Sequence, residues 1–254
     1  MAFALVLNKL DEALKKTGCS ICRVEHEKAK HVIETFLWEN VTDPVVRKPI
    51  NQAYGFCPKH TKMLAAVEMS TSGPVLGIHF IYELLAKNVE AELKKGLKRK
   101  NQQNPIQKIL GKLKLSNQPG KRFPGLHPKR ICPVCETVQQ AGENFLSALF
   151  EELNQGNQDL KTTYYQSNGL CFDHLRQGLE HYAEPYPQGA AFLLKDTVER
   201  LETQREHMKS YIDKHNWAND EHELSLDEKS AWLRTLTFFT GLPAEHFTIQ
   251  IEDF

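Results

Sequence analysis

Cys19-Ser-Ile-Cys22, Gly55-Phe-Cys57-Pro-Lys-His60, Cys132-Pro-Val-Cys135 and Gly169-Leu-Cys171-Phe-Asp-His174 decide how this chain of 254 residues is read. They hold all six cysteines, in the order CxxC, GxCxxH, CxxC, GxCxxH. Thirty-four residues separate Cys22 from Cys57, and 35 separate Cys135 from Cys171. The CxxC pairs are displaced by 113 positions and the CxxH pairs by 114, so one inserted residue reconciles them. The sequence outside the cysteines repeats too. Each CxxC runs into an apolar helical pattern, Val24, Val32, Phe36 and Leu37 within 23–40, and Val138, Phe145, Leu146, Leu149 and Phe150 within 136–154. Each GxCxxH opens a further helix, through residues 62–67 and 175–180. The repeating unit is CxxC, helix, irregular connection, GxCxxH, helix, and duplication is its simplest origin.

Three thiolates and one imidazole are the donor set of a closed tetrahedral metal site. Two close pairs supply four donors economically, and joining distant segments makes metal binding contribute to folding. The expected ligands are Cys19, Cys22, Cys57 and His60 for one ion, and Cys132, Cys135, Cys171 and His174 for the other. Each CxxC is thus paired with the CxxH that follows it. If both pairs sit at helix starts, two helix N-termini converge on the metal and favour thiolate over thiol. Gly55 and Gly169 are placed to turn the backbone into each CxxH. The cofactors expected are two zinc ions, with iron–sulfur clusters as the alternative. Asp173 offers a partner for the second site, but its counterpart in the first repeat is Lys59. The remaining histidines read as surface or hydrogen-bonded residues.

Composition is that of a globular protein, 41% hydrophobic and 25% charged, with zero formal net charge. That neutrality hides an asymmetry. Residues 93–130 carry twelve lysines and arginines and no acid, whereas 196–254 carry thirteen acids against six bases. The basic segment reads as a linker with a short helix at 106–115 and as a candidate nucleic-acid contact, although Phe123 is its only aromatic residue. The N-terminal stretch lacks a signal-peptide pattern, and no apolar run is long enough to span a bilayer. The expectation is a cytoplasmic protein, where reduced cysteines point to metal before crosslinks.

Beyond the second CxxH, Pro185 and Pro187 break the chain. A long helix is expected over 188–215, with Leu194, Val198, Leu201, Met208 and Ile212 on its apolar face. A loop follows, and then a closing helix over 227–240 with Asp227 as N-cap and Gly241 as its stop. Trp38, Trp217 and Trp232 read as core anchors. With no period-two strands, the fold class is all-α: a duplicated helical unit organised by Cys3His sites, plus a C-terminal helical hairpin. The division is 1–92 as the first repeat, 93–130 as linker, 131–187 as the second repeat and 188–254 as the C-terminal helices.

The four motifs, in this order, resemble an uncharacterised family of prokaryotic proteins. The segments Tyr211-Ile-Asp-Lys-His-Asn and Asp227-Glu-Lys-Ser-Ala-Trp232 are similar to that family's ending. The likeness runs from about residue 15 to 241, with the basic linker as a departure. It implies the fold and the sites, and no activity. The sequence holds no GxSxG, HExxH, GxxxxGK[ST] or GxGxxG pattern. The functional expectation is therefore a metal-stabilised helical scaffold or adaptor with a protein partner, leaning away from an enzyme. An iron–sulfur redox protein and a nucleic-acid-associated protein are the alternatives.

Overall fold

The computed structural model describes residues 2–70, 75–101, 124–215 and 223–242. The expected helix at 106–115, the loop that begins at Asn216, and Trp217 lie outside these residues. The described chain is helical, with no strand among the described residues. Its α-helices are α1 (Ala2–Leu14), α2 (Ser20–Thr35), α3 (Pro44–Gln52), α4 (Pro58–Met69), α5 (Leu76–Asn101), α6 (Pro133–Asn154), α7 (Gln158–Gln166), α8 (Phe172–Tyr182), α9 (Pro187–Lys214) and α10 (Leu226–Thr240). A π-helical turn, Phe36–Asn40, extends α2. A 3-10 turn, Pro124–Leu126, precedes α6.

Two compact units divide the chain. One combines Met1–Lys28 with Val138–Phe254, and the other is Ala29–Thr137. These boundaries fall inside α2 and α6 and cut across the division into consecutive repeats.

In the discontinuous unit, Leu10 and Leu14 of α1 are buried with Ile21 of α2, Leu149 and Phe150 of α6, Tyr164 of α7 and Leu193 of α9. α10 packs along α9 as the expected C-terminal hairpin, and also touches α8. The α9 register differs from expectation. Gly189, Ala190, Leu193, Asp196 and Thr197 face inward, while Leu194, Val198 and Ile212 are 46%, 51% and 68% exposed. The small residues win because a Cβ on Gly189 would strike the Phe150 backbone, so α9 lies against α6 where only hydrogen fits. The N-cap of α10 is Ser225, not Asp227. The Ser225 hydroxyl accepts from the Glu228 amide, and Glu228 accepts from the Ser225 amide in return. Gly241 closes that helix at φ +69°.

In the continuous unit the buried residues include Ile33, Phe36, Ile50, Leu64, Ile81 and Leu85. The Glu68 carboxylate accepts from the amides of Gly77 and Ile78, satisfying the first turn of α5. Trp38 is 65% exposed and Trp232 36% exposed, so neither is the core anchor expected. The connections read as irregular each contain a helix, α3 capped by Asp43 and α7 capped by Asn157.

Candidate metal centres

The four motifs adopt one local geometry. The first cysteine of each stands just before a helix, and its carbonyl accepts from the amide four residues on: Arg23 to Cys19, Thr61 to Cys57, Glu136 to Cys132 and Leu175 to Cys171. Cys57 and Cys171 have nearly the same extended backbone, φ −66° and ψ 163° against φ −73° and ψ 165°. Ahead of them Gly55 and Gly169 take φ +96° and +73°, the left-handed region expected of these two glycines.

The eight expected ligands form two groups, each with its donor atoms within 4.8 Å of one another: Cys19, Cys22, Cys171 and His174, and Cys57, His60, Cys132 and Cys135. The pairing expected from the repeat is therefore corrected. Each CxxC meets the CxxH of the other half of the sequence. Each group lies within one compact unit. In the Cys171 site, helices α2 and α8 point their N-termini at the donors, and in the Cys57 site α4 and α6 do so. Convergence of two helix starts holds, with the partners exchanged.

In the Cys171 site, Sγ of Cys22 and Cys171 are 3.7 Å apart, and His174 Nδ1 is 3.3 Å from both and 3.5 Å from Cys19 Sγ. In the Cys57 site, Sγ of Cys57 and Cys135 are 3.6 Å apart. His60 Nδ1 is 3.3 Å from both and 3.6 Å from Cys132 Sγ. A tetrahedral ion with metal–sulfur bonds of about 2.3 Å and metal–nitrogen bonds of about 2.0–2.1 Å needs edges of roughly 3.8 Å and 3.5 Å. The sulfur–nitrogen edges and the one sulfur–sulfur edge given for each group match those values, and all donors of a group lie within 4.8 Å, so each group can hold one ion. All six cysteines are free of disulfides. Cys19, Cys132, Cys171, His60 and His174 are buried, and the other three cysteines half-buried.

Local electrostatics favour the thiolate at one cysteine of each site, Cys57 and Cys19. Burial opposes ionisation of Cys57, but the amides of His60 and Lys59 and the thiols of Cys135 and Cys132 donate to its sulfur and hold it below the ordinary value. Burial likewise opposes ionisation of Cys19, and donation from Cys171, Cys22 and His174 outweighs it. Hydrogen bonds to Cys171 and Cys19, together with burial, drive Cys22 upward, and burial pushes Cys135 up to about 12. Burial also disfavours charge on the two rings. It lowers His60, with the Lys59 charge adding to it, whereas Cys171, Cys19 and Glu25 as acceptors raise His174 to about 12. A bound cation would take the place of the protons that these crowded sulfurs otherwise share.

Neighbouring contacts hold the loops in place. In the Cys171 site the Gly18 amide donates to Asn168 Oδ1 at 2.8 Å, tying the approach to one motif onto the approach to the other. Arg200 donates to the carbonyls of Ser167 at 2.6 Å and of Tyr164 and Tyr165 at 3.1 Å, and is itself held by buried Asp196 at 2.6 Å. In the Cys57 site the Lys129 amide donates to the Gln52 carbonyl at 2.8 Å. Asp173, the partner expected at the second site, is 67% exposed in its side chain and faces Arg176. The carboxylate that does reach a ligand is Glu25, 3.3 Å from His174 Nε2. Gly241 is the other missed residue: a Cβ there would lie 2.7 Å from Cys22 Sγ. Glu25 stands three residues past Cys22, one helical turn on the same face, a signal available in the sequence. Gly241 was legible as the stop of α10, but nothing in the sequence marked its contact with the sulfurs.

A family model described as a family of unknown function (DUF6062) matches residues 5–245. The chain belongs to this family. It is also similar to an uncharacterized 23.9 kDa protein in the xynA 3' region of Caldicellulosiruptor sp. (strain Rt8B.4), 23% identical over 230 residues, covering 91% of this chain and 98% of that protein. No solved structure matches the chain.

Proposed function

We propose that this member of the family is a zinc-stabilised helical scaffold, with one structural ion in each compact unit. The observation that carries the reading is the donor geometry: sulfurs 3.6–3.7 Å apart with an imidazole nitrogen 3.3–3.6 Å from each of three sulfurs. Such edges suit a single tetrahedral ion, whereas a multi-iron cluster binds its ligands to different irons and spreads them. Cys19, Cys22, Cys171 and His174 hold one ion, and Cys57, His60, Cys132 and Cys135 the other. Four protein donors fill the shell, leaving no position for substrate, so the metal's contribution is to folding.

A scaffold of this kind acts through its surface, and a protein partner follows as its target. The free thiols suit a reducing compartment such as the cytoplasm, where Cys3His sites persist. The test is elemental and sulfide analysis of anaerobically purified protein, followed by chelation under circular dichroism. Two zinc per chain, no acid-labile sulfide and loss of helix on chelation are expected. Iron with sulfide would replace this reading by the redox one.

No helix among the described residues is long and apolar enough to cross a membrane.

A further inference from the structure

The two centres have the same donors but different surroundings. His174 presents Nδ1 to the three sulfurs, and its Nε2 lies 3.3 Å from Glu25 Oε1. A carboxylate on the far nitrogen fixes the tautomer and ring orientation and strengthens the ligand, and losing it costs 10–100-fold in metal affinity as an order of magnitude. His60 presents Nδ1 to its sulfurs in the same way, yet its Nε2 is buried with no hydrogen-bond partner among the described residues. The ring is only 2% exposed.

The difference is built in by more than one residue. Glu25 has room because α6 carries Gly142 there, and a Cβ on Gly142 would fall on the Glu25 carboxylate. Carried across the 113-residue repeat, the counterparts of Glu25 and Gly142 are Val138 and Ala29. The carboxylate and the glycine that admits it are therefore both absent from the equivalent positions. At the Cys171 site Gly241 also packs onto the sulfurs, with Cys22 Sγ and Cys171 Sγ 2.7 and 3.3 Å from its would-be Cβ. That close cover slows the approach of a competing ligand.

We propose that the centres are functionally unequal. The Cys57 site is exchangeable, filling and emptying at zinc activities at which the Cys171 site stays loaded, so that Ala29–Thr137 is the unit whose order follows metal supply. Glu25 is the positioning residue that makes the difference. This rests on the zinc reading above, and the experiment separates the two.

Full-length protein carrying two zinc ions is mixed with excess of a chromophoric chelator, and zinc release is followed while iodoacetamide marks freed thiols for mass spectrometry. Two phases of equal amplitude are expected, at least about tenfold apart in rate. Alkylation during the fast phase should mark Cys57, Cys132 and Cys135 and spare Cys19, Cys22 and Cys171. Glu25→Gln should accelerate the slow phase by about 10–100-fold and leave the fast phase alone. Gly142→Ala should do the same, although alanine favours a helix. Because each site lies in its own compact unit, loosening of one unit would also speed one phase. Acceleration with unchanged amide hydrogen exchange at Leu10, Leu149 and Leu193 of the zinc-loaded variants therefore marks the positioning role. A single phase, early alkylation of the Cys171 set, or a slow phase indifferent to both variants would overturn the inference while leaving two zinc sites standing. A chain that takes up no zinc removes the underlying reading together with the inference.

Discussion

Gly241 shows how much a single residue can be asked to do. It ends α10 at φ +69°, where an L side chain is strained, and it faces Cys22 Sγ across a gap that no Cβ fits. Gly241→Ala adds left-handed strain of about 1–2 kcal/mol to that clash. The variant should lose at least that much stability by denaturant titration of the zinc-loaded protein, with zinc leaving the Cys171 site faster. Gly156 is the control. It has φ +83° with nothing near its would-be Cβ, so Gly156→Ala bears the strain alone. Equal losses for the two would show that Gly241 does not press on the site.

Elements are where sequence periodicity worked best and also where it misled. The helices after each CxxC were legible because their apolar residues recur at helical spacing; Val138, Phe145, Leu146, Leu149 and Phe150 are all buried. α3 and α7 were missed because each is nine residues long and held by its tertiary setting more than by its own pattern. On α9 the pattern chose the wrong face. The helix has two apolar faces, and close approach to α6 selected the one with Gly189 and Ala190. Leu193→Ala should therefore cost about 2–5 kcal/mol in denaturant unfolding, since Leu193 is fully buried. Leu194→Ala, at a half-exposed position, should stay within about 0.5 kcal/mol. The reverse order would restore the expected register. At the start of α10, Ser225→Ala removes the capping box and should cost about 1 kcal/mol, readable as a fall in Tm, with Asp227→Ala costing less.

At the scale of the whole molecule, the candidate ligands were legible and their pairing into two groups was not. All eight could be named because the motif occurs twice and uses every cysteine. Proximity in sequence then favoured pairing Cys22 with Cys57, 34 residues apart, over pairing Cys22 with Cys171, 148 residues apart. That preference is weak. Each doubling of a flexible loop costs only about 0.6 kcal/mol, so two doublings amount to roughly 1.2 kcal/mol. Burying the α1, α2, α6 and α9 residues around Leu149 and Leu193 outweighs it, since one fully buried leucine contributes about 1.5–3 kcal/mol. The consequence is that each group of donors joins a stretch from the first repeat to a stretch from the second. Double substitutions read this arrangement directly, by counting zinc per chain in native mass spectrometry. Cys57→Ser with Cys132→Ser strikes one site twice and should leave one zinc, whereas Cys19→Ser with Cys57→Ser strikes both sites and should leave none. If the first pair leaves none and the second leaves one, each repeat holds its own metal and the exchanged pairing is wrong.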